Sequence, residues 1–236
     1  MLVDYGAPPA PGPAQLLPGP WETLVRTEAA ALLRRLADRC ADGARALARP
    51  GLRVLAVLRC HPGFSDQVLY QVQVLDEQRP GALDLLAGAA EPRLLDGLAQ
   101  TLFDLVESGI IRLDTPAAQS DYTRFFCSVV RAEEGRFQVI DGLDDLRLVA
   151  APPPEAQAVH PWGLERLDQD GRLVYAGTIL YGTGLFRATL TLHPRSGRVE
   201  LLADAPIAED LPIRREGFDG PIRYLAEAGS TPAAVP

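Results

Sequence analysis

The chain contains no lysine and no asparagine, so all 23 of its basic residues are arginine. Because both missing residues are encoded by codons that begin with AA, this composition is typical of a very GC-rich genome. The absence of lysine excludes Schiff-base chemistry on a lysine amine and excludes a Walker A phosphate loop. No serine lies in a GxSxG elbow, which argues against a hydrolase of that class.

Cysteine and histidine are also scarce, with three of each. Cys40, Cys60 and Cys127 are too few and too scattered for a disulfide framework. All three histidines precede proline, which favours extended backbone beside a turn. No CxxC, HxH or HExxH spacing is present, so we expect no metal and no cofactor, and we assign no catalytic residue. The alternative is a metal site that combines Cys60 and His61 with Cys127 or another histidine.

Long apolar runs are absent as well, and no transmembrane helix is predicted. The first 20 residues have neither the basic start nor the apolar run of a secretory signal, so we expect a cytoplasmic protein. The net charge of −8 disfavours a general nucleic-acid binder, which needs cations to replace the counterions of phosphates. Arginines are nevertheless concentrated between residues 21 and 59, where a basic helix is expected.

Proline, glycine and hydrophobic periodicity divide the chain into segments. Residues 1–20 and 229–236 are expected to be flexible tails. Residues 21–228 are expected to form one composite α+β domain, with a possible internal boundary at the proline-rich segment 149–159.

Two segments, 21–48 and 91–109, have the apolar spacing of amphipathic helices. We expect Leu32, Leu36, Leu98 and Leu102 to be buried where these helices pack on a sheet. Alternating or short apolar runs predict strands at 52–60, 67–75, 121–130, 136–141, 162–167, 172–180, 184–192 and 197–204. The predicted fold is therefore α+β, with one antiparallel sheet of about six to eight strands and two long helices on one face. The first 145 residues would then contain helix–strand–strand twice, which is a weak indication of duplication.

Three glycines in "VYAGTILYGTGLFRATLTL" raise the question of a phosphate-binding loop. Such a loop leads into a helix, but the residues after Gly184 alternate as a strand does. Gly177, Gly182 and Gly184 are therefore expected to supply positive φ angles in a tight turn.

Aromatic and arginine side chains on or beside predicted strands suit contacts with a partner. The candidate partner-binding residues are Tyr122, Arg124, Phe126, Tyr175, Tyr181, Phe186, Arg187 and Arg198. The leading hypothesis is a non-catalytic, cytoplasmic protein-binding module of a chaperone-like, adaptor or immunity/inhibitor type. It would use an exposed sheet face or edge, with residues 184–204 as the candidate edge, to bind another protein or a second copy of itself.

Two other classes of function stay open. An enzyme or small-ligand binder would need a pocket between the sheet and the helices. A nucleic-acid-associated protein would use the arginine-rich first helix. Its candidate residues are Arg26, Arg34, Arg35 and Arg39.

Overall fold

A computed structural model describes residues 12–88 and 91–225. The chain divides into two compact units. Of the described residues, the first unit comprises 12–88, 91–96 and Glu216–Leu225, and the second comprises Gly97–Arg215. The proline-rich segment 149–159 lies inside the second unit, so neither division falls there.

The described residues contain four α-helices and 13 strands. The helices are α1 (Arg26–Arg39), α2 (Ala41–Leu47), α3 (Ala99–Glu107) and α4 (Pro116–Val129). The strands are β1 (Glu22–Thr23), β2 (Arg53–Cys60), β3 (Val68–Asp76), β4 (Arg79–Ala87), β5 (Arg93–Leu94), β6 (Arg131–Ala132), β7 (Gly135–Ile140), β8 (Gly163–Leu167), β9 (Leu173–Tyr181), β10 (Gly184–His193), β11 (Arg198–Ala208), β12 (Glu216–Asp219) and β13 (Ile222–Leu225).

The fold is mixed α and β with two antiparallel sheets, rather than the single sheet that the sequence predicted. A seven-stranded sheet in the first unit has the order β1-β2-β3-β4-β13-β12, with β5 paired to β4. A six-stranded sheet in the second unit has the order β11-β10-β9-β7-β6, with β8 paired to β9. The two strands after Arg215 therefore return to the first unit and complete its sheet.

The first predicted helix is present as two helices, because the backbone at Cys40 is extended. Cys40 ends α1 and begins α2, where its Sγ accepts a hydrogen bond from the backbone N–H of Gly43 at 3.4 Å. Leu32 and Leu36 are buried on α1, as predicted, in a cluster with Val72 and other side chains of the seven-stranded sheet.

The second predicted helix is shorter than expected. Residues 93 and 94 form β5, and α3 begins only after Leu98. Leu102 is buried as predicted, but Leu98 is 60% exposed, so its predicted burial was wrong. Gly97, with φ 87°, lies between the strand and the helix. The apolar residues before and after it therefore do not share one helix face, although the sequence pattern had suggested that they would.

The predicted strand at 121–130 is instead most of α4. Thr115 caps this helix, because its Oγ1 accepts a hydrogen bond from the N–H of Ala118 at 3.1 Å, and Pro116 occupies the first turn. The aromatic and β-branched residues that suggested a strand are buried on the helix. The proposed helix–strand–strand duplication therefore loses one of its strands.

The glycine-rich segment does form two strands joined by a turn. Of the three glycines, only Gly182 has a positive φ, 59°, so the expectation for the other two was wrong. Gly177 and Gly184 lie within β9 and β10. A Cβ on Gly177 would lie 2.8 Å from Cα of Trp162, so close packing requires glycine there.

The described part of the predicted N-terminal tail, residues 12–20, is held against the first unit. Leu16 and Leu17 are buried, and the Ala14 backbone is hydrogen-bonded to side chains of the sheet. The prediction that residues 1–20 form a flexible tail did not include these buried side chains and hydrogen bonds. Residues 1–11 and the predicted tail 229–236 lie outside the described residues. Among the described helices, none has both the length and the apolarity to cross a membrane.

Candidate functional site

Three of the predicted partner-binding residues are core residues. Tyr122 and Phe126 are buried on α4, and Tyr175 is buried on β9. The hydroxyl of Tyr122 donates to the carbonyl of Gly197 at 2.8 Å, and the ring of Tyr175 stacks on Trp162 at 6.0 Å between centroids. These side chains stabilise the second unit and are not exposed to a partner, which corrects the expectation drawn from strand alternation.

Two more of these residues make contacts within the second unit. Arg124 donates to both carboxylate oxygens of Asp141, at 2.6 and 3.1 Å. Burial acts to raise the pKa of Asp141, but the hydrogen bonds from Arg124 and from the Trp162 backbone outweigh it, and the pKa is lowered. The hydroxyl of Tyr181 accepts from the backbone N–H of Glu134 at 2.9 Å. Both residues hold loops in place.

The remaining three lie on β10 and β11. Phe186 is half-buried, and Arg187 and Arg198 are exposed. Phe186 and Arg187 lie opposite Pro206 and Ala205, near the end of β11, whereas Arg198 begins that strand. The structure therefore spreads these residues along one hairpin and does not bring them to a single point.

The outer strand of that hairpin, β11, is exposed along most of its length. It pairs with β10 on one side and ends the six-stranded sheet, and no other described strand pairs with its second side. Every residue from 200 to 206 is exposed. Since successive side chains of a strand point to opposite faces, both faces of β11 are uncovered over this stretch. We refer to residues 198–206 as the β11 edge.

The β11 edge is apolar for an exposed strand. Leu201 is 55% exposed and Leu202 is 50% exposed. The register with β10 shifts at Leu202 and again at Ile207, which marks two bulges. Together with Pro206, which has no N–H to donate, these bulges limit the stretch over which another strand can pair. Exposed strand edges of this kind are where further strands add.

The arginines of the first helix lie mostly on its solvent face. Arg26, Arg34 and Arg39 are exposed, and Arg35 is half-buried. Arg39 approaches Glu91 at 3.9 Å, a distance at which an exposed ion pair contributes little. Arg26, Arg34 and Arg39 therefore lie on a solvated helix face.

Cys127 is buried, and Cys40 and Cys60 are half-buried. Burial raises the pKa of the Cys60 thiol to about 12, and it is the main reason that the pKa of Cys127 is raised to about 12. Both thiols are therefore protonated at neutral pH, which disfavours nucleophilic or metal-binding chemistry. Across the described residues, no group of three or more histidine, cysteine, aspartate or glutamate side chains is placed to hold a metal ion.

A second feature, which the sequence interpretation missed, is a buried polar cluster in the first unit. Asp84 and Arg223 have side chains that are 5% exposed, and that of Glu216 is 12% exposed. Arg223 donates to both carboxylates and to the carbonyl of Ala14. A signal was present, since Asp84 interrupts the apolar run "GALDLLAG" and charged residues in such runs are rarely buried without a partner.

The arrangement therefore offers two surfaces with distinct chemistry, an apolar strand edge and a polar sheet face that binds a main chain. Neither has the paired nucleophile and base of a covalent catalyst. No protein-family model, no curated protein and no solved structure matches this chain.

Proposed function

We propose that the protein is a non-catalytic binding module, acting in the cytoplasm, that pairs the β11 edge with an extended strand of another protein. The observation that carries the proposal is the position of β11 at the end of its sheet with both faces exposed from 200 to 206. Such an edge provides backbone donors and acceptors for strand addition, and the side chains on both faces provide selectivity.

The exposed leucines of the β11 edge supply the apolar part of this interface. Leu201 and Leu202 are next to each other in sequence, and the bulge at Leu202 changes the direction of its side chain relative to a regular strand. A partner strand that covers them would remove apolar surface from water, which is the main driving force for protein association. The bulges and Pro206 restrict pairing to a short stretch, so indiscriminate sheet extension is disfavoured.

The test is a site-specific photo-crosslinker placed at Leu202 in the cell of origin, followed by reconstitution of the purified complex. We expect one discrete adduct, and we expect the double variant Leu201→Lys/Leu202→Lys to lose the complex, because lysine on an edge opposes strand pairing. The matched control is Leu164→Lys/Leu167→Lys on β8, where the two leucines are 51% and 64% exposed.

The control separates binding at the β11 edge from binding through another exposed apolar strand, because β8 pairs with β9 alone among the described strands. Loss of the complex in both double variants, or the absence of any adduct at Leu202, would contradict the proposal. Light scattering of the purified protein distinguishes the partners: a doubled mass that only the Leu201→Lys/Leu202→Lys variant abolishes would identify a second copy as the bound strand.

A further inference from the structure

The polar cluster of the first unit binds the main chain of one N-terminal residue on both sides. The N–H of Ala14 donates to Oε1 of Glu216 at 2.9 Å. The carbonyl of Ala14 accepts from Nη2 of Arg223 at 3.0 Å and from Nε2 of Gln71 at 3.2 Å. Three side chains that project from a sheet face thus satisfy both hydrogen-bonding groups of a single residue.

The side chains around this residue are buried and mutually supported. Gln71 is 1% exposed and lies opposite Asp84 in the register of β3 and β4. Arg223 lies opposite Ala82, which in turn lies opposite Gln73. Opposite residues of antiparallel strands share a face, so these polar side chains form rows on the same face of the sheet.

Two acceptors on this face are not used by the N-terminal segment. Oε1 of Gln71 and Oε1 of Gln73 are buried, and neither has a hydrogen-bond partner within the described residues. Buried polar atoms are satisfied in most native structures, so an acceptor without a donor needs a physical reason. Main-chain N–H groups are the natural donors for a row of acceptors beside an extended chain.

We propose that this face is a binding site for a short non-helical polypeptide segment, and that residues 12–17 occupy it from within the same chain. The ligand class follows from the occupant. The anchor residue is small, since Ala14 is half-buried, and aliphatic residues follow two and three positions later, since Leu16 and Leu17 are buried.

The occupying segment is poised for exchange with another chain. Residues 12–20 form no helix and pair with no described strand, so the segment is held by the hydrogen bonds of Ala14 and by buried side chains, without a ladder of backbone hydrogen bonds. Pro18, Gly19 and Pro20 are exposed and connect the segment to Trp21, with Gly19 at φ 112°. Because Arg223 keeps Asp84 and Glu216 as partners, the buried cluster stays paired when the segment leaves.

The experiment places a protease recognition sequence between Gly19 and Pro20 of the full chain, so that the protein folds before it is cut. After cleavage, a fluorescent peptide of residues 12–19 is added and its anisotropy is measured. We expect saturable binding to the cleaved protein and at least about tenfold weaker binding to the uncut protein, in which the linked segment competes.

Peptide and protein variants test the main-chain contacts. Methylation of the Ala14 nitrogen removes the hydrogen bond to Glu216 and is expected to weaken binding about tenfold, whereas Gln15→Ala, at an exposed side chain, leaves it unchanged. In the protein, Gln71→Leu is expected to weaken binding, and Gln78→Leu, at an exposed turn position, is the matched control.

Two results would overturn the proposal. Failure of the peptide to bind the cleaved protein, with an unchanged circular dichroism spectrum, would show that the face accepts no exchangeable ligand. Unfolding upon cleavage would show that residues 12–17 are a fixed part of the fold. Either result leaves the β11 edge unaffected, because it is tested by crosslinking of the uncut chain.

Discussion

Arg223 and Asp84, 139 residues apart in the sequence, form a buried two-point ion pair. Nε of Arg223 lies 2.7 Å from Oδ2 of Asp84, and Nη2 lies 3.2 Å from Oδ1. Glu216 adds a second carboxylate, at 3.2 Å from Nη1. β13, the last described strand, also pairs with β4. It is therefore held in the sheet both by backbone hydrogen bonds and by the ion pair between Arg223 and Asp84.

Removal of one partner of this pair is expected to be costly. Asp84→Ala leaves the guanidinium of Arg223 with one carboxylate in a buried site, and the free energy of unfolding should fall by about 3–5 kcal/mol. Urea denaturation at pH 7 measures this change in the free energy of unfolding. The triple variant Asp84→Leu/Glu216→Leu/Arg223→Met should recover most of the loss, because apolar residues of similar size replace a whole buried charge cluster well. A loss below about 1 kcal/mol in Asp84→Ala would show that the pair is hydrated.

Two leucines of the same predicted helix should respond differently to truncation. Leu102 is fully buried, and Leu102→Ala should lower the free energy of unfolding by about 2–5 kcal/mol. Leu98 is 60% exposed, so Leu98→Ala should change it by less than about 0.5 kcal/mol. Denaturant midpoints of the two variants provide the comparison. Equal losses would favour the continuous helix that periodicity alone predicted.

Several strands were predicted close to their observed bounds. β3, β9 and β10 alternate or lie next to clear turns, and each was predicted within a few residues. β4 was missed because its second and third residues, Pro80 and Gly81, form a dipeptide typical of a turn, and Asp84 interrupts the apolar run that follows. The α4 error had a visible counter-signal, since Thr115 and Pro116 are typical helix-start residues and Tyr122, Phe126 and Val129 follow helical spacing.

The candidate site was less accessible to sequence reasoning than the fold. Alternation shows that a segment is a strand, but strand order decides whether it is an edge, and order depends on contacts distant in sequence. Leu201 and Leu202 were not singled out, although two adjacent leucines in a strand break alternation and indicate a bulge. The main-chain contacts of Ala14 could not be predicted, because they join residues 202 positions apart.

The turn between β3 and β4 should tolerate glycine better than its own residues. Glu77 and Gln78 have φ angles of 47° and 80°, which are unfavourable for side chains with a Cβ. Gln78→Gly should raise the free energy of unfolding by about 0.5–1 kcal/mol, after the larger entropy of glycine in the unfolded chain is included. The matched reverse change is Gly220→Ala, at φ 58°, which should lower it by about 1 kcal/mol. Thermal melts measure both, and destabilisation by Gln78→Gly would contradict the interpretation.

The ion pair between Arg124 and Asp141 should make the second unit sensitive to acid. The pKa of Asp141 is lowered in the folded protein. The ionised carboxylate therefore stabilises the fold fully above its unfolded-state pKa of about 3.9, and this stabilisation is lost as the pH falls through the folded-state pKa. At pH 7, Asp141→Asn should lower the free energy of unfolding by about 1 kcal/mol, a modest figure because the carboxylate is 44% exposed.

The difference between the wild-type protein and Asp141→Asn should shrink below about pH 4 and vanish once the wild-type carboxyl is protonated in the folded state. Urea midpoints at pH 7, 5 and 3 test this order. Asp144→Asn, at an exposed acid in the adjacent 3-10 helix Leu143–Asp145, is the control and should stay within about 0.5 kcal/mol of wild type throughout. A constant difference for Asp141→Asn at all three pH values would show that its carboxylate acts through shape and not through charge.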